Sequence, residues 1–135
     1  MATARPPDHV TVIFDGTCGF CTRSIRYLHR LDRHQRLTSV ACQVAQQEAR
    51  YRLEGVDCGE SAWAIAGDGR RASGGQAATL IASALLQQSW PVMVGRLPGI
   101  RHALALGYRI VAINRHHLPG DTPWCEANPG RCGAS

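Results

Sequence analysis

The sequence contains no lysine: all 15 of its basic residues are arginine, against 10 acidic residues, for a formal net charge of +5. An arginine excess suits a nucleic-acid binder, yet no recognised binding motif and no basic patch interleaved with aromatics accompanies it. With many alanines and glycines, the all-arginine usage instead reflects a GC-rich coding sequence, and nucleic acid is not an expected partner. No apolar run is long enough to span a bilayer; the longest, Ala77 to Leu86, falls well short. The later apolar stretch is interrupted by Arg101, His102 and Arg109. Met1 to His9 is polar and proline-containing, with no apolar core of a secretory signal. These absences make a cytoplasmic protein without a membrane span the expectation. In that compartment spare cysteines stay reduced, and a disulfide is more readily catalytic than structural. No internal repeat or linker divides the chain. Its 135 residues, 44% of them hydrophobic, suit one domain over 1–135 with irregular tails at about 1–8 and 126–135.

What is present concentrates at one point. The apolar run Val10-Thr11-Val12-Ile13-Phe14 leads into Asp15-Gly16-Thr17-Cys18-Gly19-Phe20-Cys21. A strand runs into a tight loop, and the loop delivers two cysteines to the start of a helix. The attacking species in thiol chemistry is the thiolate, and a helix N-terminus offers unpaired N–H groups and partial positive charge to stabilise one. Cys18 sits at or just before the first turn and is the candidate nucleophile. Cys21, one turn on, can close a disulfide on Cys18 and release a substrate held as a mixed disulfide. Gly19 removes a side chain beside the nucleophile and lets another backbone approach, and Phe20 supplies an apolar edge; both are candidate substrate contacts. Asp15 admits two readings. A nearby carboxylate disfavours a thiolate on Cys18 but can accept the proton of Cys21 as that thiol attacks. Alternatively, Asp15-Gly16 shapes the turn, with the carboxylate bonding nearby N–H groups.

Around this motif the pattern is α/β. Val10–Phe14 reads as a strand and Cys18–Arg33 as a helix whose apolar stripe is Cys21, Ile25, Leu28 and Leu31. That stripe turns Cys21 toward the core and leaves Cys18 nearer the rim. Arg23, Arg26, Arg30 and Arg33 cover the remaining sides. Leu37–Cys42 reads as a second strand, Val44–Leu53 as a helix and Ser61–Ala66 as a third strand. A hairpin turn follows at Gly67-Asp68-Gly69-Arg70, leading to a short strand Arg71–Ser73. A helix runs from about Gln76 to Gln88. Pro91 and Pro98 punctuate the chain before a last helix, about Gly99 to Arg115, with Ile100, Leu104, Tyr108 and Val111 as its buried stripe. From His116 on, the Pro- and Gly-rich tail reads as irregular.

Asp15-Gly16-Thr17-Cys18-Gly19-Phe20-Cys21 resembles the signature of the DCC family of predicted thiol–disulfide oxidoreductases, named for its Asp, Cys and Cys. The arginine-rich helix, the segment Tyr108-Arg109-Ile110-Val111-Ala112-Ile113-Asn114-Arg115 and the stretch Leu118-Pro119-Gly120-Asp121-Thr122-Pro123-Trp124-Cys125 fit it as well. The resemblance implies a thioredoxin-like fold: a small mixed sheet flanked by helices, with a C-terminal helical extension. The activity expected of the dithiol is disulfide reduction with no organic cofactor. Its partners are a protein or small-molecule disulfide and a reducing partner that returns electrons to the dithiol. One departure from thioredoxins proper stands out. They carry a cis-proline facing the active-site disulfide, whereas this chain has no proline between Pro7 and Pro91, so none opens the third strand near Ser61. A different backbone must face Cys18.

The remaining cysteines divide. Cys42 ends a strand and reads as buried and inert; Cys58 lies in a loop as a bystander. Cys125 matches the family pattern and is a candidate third redox position near Cys18 and Cys21. It can also pair with Cys132 around Asn128-Pro129-Gly130, although Cys132 reads more simply as a free tail thiol. Trp124 reads as an anchor of the tail. Two rival functions follow from the same residues. Cys18 and Cys21 have the spacing of half a structural zinc site, which Cys125 and Cys132 or His116 and His117 would have to complete; no second Cys-x-x-Cys exists. The other rival is a redox-inactive binding module on the same fold. The expectation taken forward has no metal.

Overall fold

The structure, a computed structural model, describes residues 7–48, 51, 62–128 and 130–132. The expected second helix, Val44–Leu53, is already over at Ala45; its expected end at Leu53, the start of the third strand at Ser61, and Cys58 lie outside the described residues. Four strands form one sheet in the order β2-β1-β3-β4. β1 (Val10–Phe14) pairs in parallel with β2 (Leu37–Ala41), through the crossover helix α1 (Gly19–Leu31). On its other side β1 pairs antiparallel with β3 (Trp63–Ala66), which turns back into β4 (Arg71–Ser73). The hairpin turn is the Asp-Gly one: Gly69 has φ +97°, a conformation that costs glycine nothing and L-residues a clash.

Alternation along β1 builds two cores. Val10 and Val12 face α3 (Gly75–Leu86), packing with Leu37, Ala64, Ala77, Leu80 and Ala84. Ile13 faces the other way, against Cys42 and Ala45 of the short helix α2 (Cys42–Ala45). Putting the central strand between two apolar layers fixes its register, since a slip by one residue would exchange every side chain between faces. This is the thioredoxin-like arrangement expected from the resemblance.

Several local expectations are corrected. Cys18, expected at or just before the first turn, is the N-cap of α1, so the helix begins one residue later than Cys18–Arg33 and ends at Leu31. Leu31, expected on the apolar stripe, is exposed, while Ile25 and Leu28 pack on the core. Cys42 opens α2 instead of closing β2. Pro91 does not interrupt the chain; it sits in the first turn of α4 (Trp90–Gly95), where its missing N–H has no intrahelical partner to lose. The next helix, α5, spans Pro98–Asn114, and its expected buried stripe is only half realised. Leu104 and Tyr108 turn inward, Ile100 and Val111 are exposed, and no α5 residue is fully buried. The tail is not wholly irregular: a 3-10 turn follows at Arg115–His117, and α6 (Trp124–Ala127) forms a further helical turn.

Candidate active site

The sheet delivers Asp15 and the two cysteines from the C-terminal end of β1. The loop closes as a turn, with the Cys18 N–H donating to the Asp15 carbonyl at 3.1 Å. Asp15 organises that loop. Its Oδ1 accepts from the Thr17 N–H (3.0 Å), the Thr17 hydroxyl (2.7 Å) and the Gln43 amide (2.9 Å). Gln43 Oε1 in turn accepts from the Gly16 N–H at 2.9 Å. Oδ2 of Asp15 meets Arg115 Nη2 at 3.0 Å, with both side chains largely withdrawn from water. Burial pushes the Asp15 carboxyl up. The hydrogen bonds from Thr17 and Gln43 and the Arg115 charge outweigh it and hold the carboxyl below its ordinary value.

Cys18 and Cys21 are both free thiols. The Cys21 N–H points at Cys18 Sγ from 3.2 Å, the N-cap interaction that favours an anionic sulfur. Cys21 is pushed up to about 12, first by burial and then by hydrogen bonding and charge from Cys18, with Arg115 opposing. Cys21 thus holds its proton firmly. Arg115 Nη1 lies 3.8 Å from Cys21 Sγ, so one guanidinium serves both the carboxylate and the second thiol.

The expected exposure of the pair is reversed. Cys18 is only 1% exposed, whereas Cys21 is partly open. The helical stripe anticipated the opposite because it considers α1 alone. The cover comes from a strap at residues 119–125. Its Asp121 N–H donates to the Gly19 carbonyl (3.1 Å), the Trp124 N–H to the Thr22 hydroxyl (3.1 Å) and the Cys125 N–H to the Gly16 carbonyl (2.8 Å). Arg26 holds Asp121 by an ion pair at 3.0 Å, and the Trp124 ring stands edge-on to Phe14 at 6.5 Å between centroids. Gly19 and Gly120 allow this approach. A Cβ on Gly19 would strike the Asp121 carbonyl oxygen, and one on Gly120 the Gly19–Phe20 backbone. Gly19 does admit another backbone, as expected, but that backbone is the chain's own.

Cys21 opens instead onto an apolar slot of about 160 Å³ between α1 and α5, bordered by Phe14, Phe20, Ile25, Tyr108 and Arg115. A larger cavity of about 470 Å³, over Trp63, Arg70 and Gln76, is lined by no cysteine. At the mouth of β3, where thioredoxins place their cis-proline, the Ala62 N–H donates to the Tyr108 hydroxyl at 2.7 Å. No cis peptide occurs among the described residues.

The other cysteines are also corrected. Cys125 is bonded to Cys132, so Cys132 is not a free tail thiol and Cys125 adds no third thiol to the pair. Cys125 Sγ lies by Gly16 and Gln43, on the loop that carries Cys18. Cys42 is buried as expected, but as half of a disulfide. While bonded to each other, as here, Cys125 and Cys132 offer no thiolates to a zinc ion on Cys18 and Cys21. Among the described residues no group of three or more potential ligands gathers.

Arg115, Gln43 and Tyr108 are the residues around the site that sequence reasoning passed over. Arg115 and Tyr108 lay inside the segment carrying the family resemblance, which was the available signal. Gln43 had none.

The DCC1-like thiol-disulfide oxidoreductase family model matches residues 12–121. That span runs from β1 through the Cys-x-x-Cys loop, Tyr108 and Arg115 to the strap residue on Gly19. No curated protein and no solved structure matches the chain. With the dithiol at a helix N-terminus and the family match over most of its length, the chain belongs to the DCC1-like thiol-disulfide oxidoreductase family.

Proposed function

We propose that the protein is a dithiol–disulfide oxidoreductase of the protein-disulfide reductase type, working through Cys18 and Cys21. The observation that carries this reading is the pair itself: two free thiols at the N-terminus of α1, one accepting an N–H hydrogen bond and the other beside a guanidinium. The Cys18 thiolate attacks one sulfur of a substrate disulfide. That S–S bond breaks, Cys18 holds one half as a mixed disulfide, and the departing sulfur takes the Cys21 proton. The Cys21 thiolate, its charge balanced by Arg115, then attacks Cys18 Sγ. The Cys18–Cys21 disulfide forms, and the second substrate sulfur leaves and takes a proton from water. Two electrons have passed to the substrate, and a reducing dithiol partner returns the pair to its starting state. No organic cofactor enters.

Asp15 acts in this scheme by shaping the loop and holding Arg115. Its depressed proton affinity makes it a poor acceptor for a thiol proton. Because the strap covers Cys18, it must yield for a substrate sulfur to reach that atom. Phe20 and the slot border the other thiol.

The test is a glutathione redox titration read by differential alkylation of the Cys18–Cys21 peptide, together with trapping in single variants. A reversible two-electron step is expected. Cys21→Ser should accumulate a mixed disulfide on Cys18, and Cys18→Ser should not accumulate one on Cys21. No step at that peptide refutes the dithiol mechanism; trapping on Cys21 alone reverses the two roles.

The cytoplasmic placement belongs to the same proposal and carries a condition. A reducing cytosol does not maintain structural disulfides, so Cys125 and Cys132 should be alkylated as free thiols in protein quenched directly from cells. Finding them oxidised there places the chain in an oxidising compartment.

A further inference from the structure

Between Asp68 and Asp121 the sequence holds no acidic residue, yet it holds six arginines. Three are engaged within the fold: Arg70 with Asp68, Arg71 over the Trp63 ring and Arg115 with Asp15. Arg96, Arg101 and Arg109 are exposed, and none of them pairs with an acidic group among the described residues. The same stretch carries an apolar surface that the fold leaves uncovered. On α5, Ala103, Leu106, Ile110 and Ile113 recur at intervals of three and four residues, opposite the inward-turned Leu104 and Tyr108. Leu106 is 61% exposed, Ile110 53% and Ile113 66%. Trp90, Met93 and Val94 of α4, which packs against α5, and Leu97 at their junction are exposed as well.

We propose that α4 and α5 dock the protein on the surface of a bilayer rich in anionic lipid. A helix of 17 residues, about 25 Å long, lies in the plane of the interface with Leu106, Ile110 and Ile113 among the acyl chains and its arginines reaching up to the headgroups. Charge decides between the possible occupants. A second copy seated on the same stripe would bring Arg109 and His102, which border it, against their own counterparts, with no acidic residue in the whole stretch to offset them. An anionic bilayer supplies apolar depth and negative charge together, and Trp90 is a residue type enriched at that boundary. The docking lies on the membrane and does not cross it, since no helix among the described residues is long and apolar enough to span one.

The experiment is flotation of the full chain with vesicles of phosphatidylcholine, alone or mixed with phosphatidylglycerol, at low and high salt. Wild type should float with the mixed vesicles at low salt and not with phosphatidylcholine alone. At roughly 1 kcal/mol per arginine near the surface, Arg96→Gln/Arg101→Gln/Arg109→Gln should lower partitioning on the order of 100-fold. Leu106→Gln/Ile110→Gln should lower it about tenfold per side chain, with the redox titration and circular dichroism unchanged. Absence of flotation with mixed vesicles at low salt overturns the proposal, as does flotation that survives the Leu106/Ile110 change. A concentration-dependent dimer lost in that same variant, without vesicle binding, assigns the face to a second copy instead.

Discussion

Replacing Arg115 by methionine tests the centre of the site most directly. Its guanidinium meets Asp15 Oδ2 at 3.0 Å, with 12% and 5% of the two side chains exposed. Removing one member of a buried ion pair costs about 3–5 kcal/mol, because the other charge stays buried. Asp15 Oδ1 keeps its three hydrogen bonds from Thr17 and Gln43, which places the cost near the lower bound, about 3 kcal/mol, or on the order of 100-fold in the folding equilibrium. The loss should depend on pH in a defined direction. In the wild type the Asp15 carboxyl is held below its ordinary value. Its contribution is therefore full above the unfolded value of about 3.9 and disappears as pH falls through the lower folded value. Without Arg115 the burial that pushes this carboxyl up is less opposed, so Asp15 protonates in the folded variant at higher pH than in the wild type. A protonated Asp15 has no charge left to balance. The stability gap between wild type and Arg115→Met is thus widest near pH 7 and narrows as pH falls toward 3.5. Urea unfolding followed by tryptophan fluorescence at pH 7, 5 and 3.5 measures it. The double variant Asp15→Asn/Arg115→Met should be more stable than Arg115→Met alone, since it leaves no unpaired charge. A gap that does not change with pH, or a double variant no better than the single one, refutes the argument.

Other perturbations reach the strap and the thiols. Gly19→Ala puts a methyl group on the Asp121 carbonyl, a backbone atom that cannot turn aside, at a cost of about 1–3 kcal/mol. Iodoacetamide should then label Cys18 faster than in the wild type, and unchanged labelling would show that the strap is not what covers it. Burial is the first cause that raises Cys21 and Cys18 the second; Cys18→Ser removes the second, so thiolate absorbance of Cys21 should appear below pH 12; no change would mean that burial alone holds the proton. Reducing Cys125–Cys132, whose partners are seven positions apart, should lower stability by about 2–3 kcal/mol on loop-closure grounds, as read from urea midpoints with and without a reductant too weak to touch Cys42. No shift would mean that the strap is held by its hydrogen bonds and Trp124 alone.

What the sequence made legible is what short-range pattern determines. β1 and β4 occur at their expected residues, and the Asp-Gly hairpin and the start of α1 follow from turn and cap chemistry within a few positions. The misreadings involve either one ambiguous residue or a distant partner. Pro91 reads equally as a breaker or as the opening of a helix, and only the following turn, with Val92 buried, decides for α4. The helical stripe of α1 describes one helix, whereas Cys18 is covered by a strap about a hundred residues later in the chain. An arginine at a helix end usually lies in solvent, and Arg115 does not because its carboxylate partner also lies a hundred positions away. α5 carries an exposed apolar stripe beside its inward Leu104 and Tyr108: period 3.6 marks an apolar face but does not say what that face meets.

These long-range contacts change the meaning of the motif's acidic residue. Read locally, Asp15 is either a base waiting for the proton of Cys21 or a carboxylate that shapes its own turn, and the Thr17 hydrogen bonds match the second reading. In the fold it is a saturated carboxylate, with three hydrogen bonds on one oxygen and a guanidinium on the other. Each bond that lowers its proton affinity makes it a poorer base and a firmer anchor. What it anchors is the cation beside Cys21: with Oδ2 fixing Nη2, Nη1 of the same guanidinium is held 3.8 Å from the second sulfur. In the proposed mechanism the resolving step puts negative charge on that sulfur inside a site that disfavours it, and a cation already in place needs no rearrangement to meet that charge. Asp15 thus influences Cys21 through Arg115. An Asp in this motif is useful to thiol chemistry even though, placed next to a thiolate alone, it would oppose it.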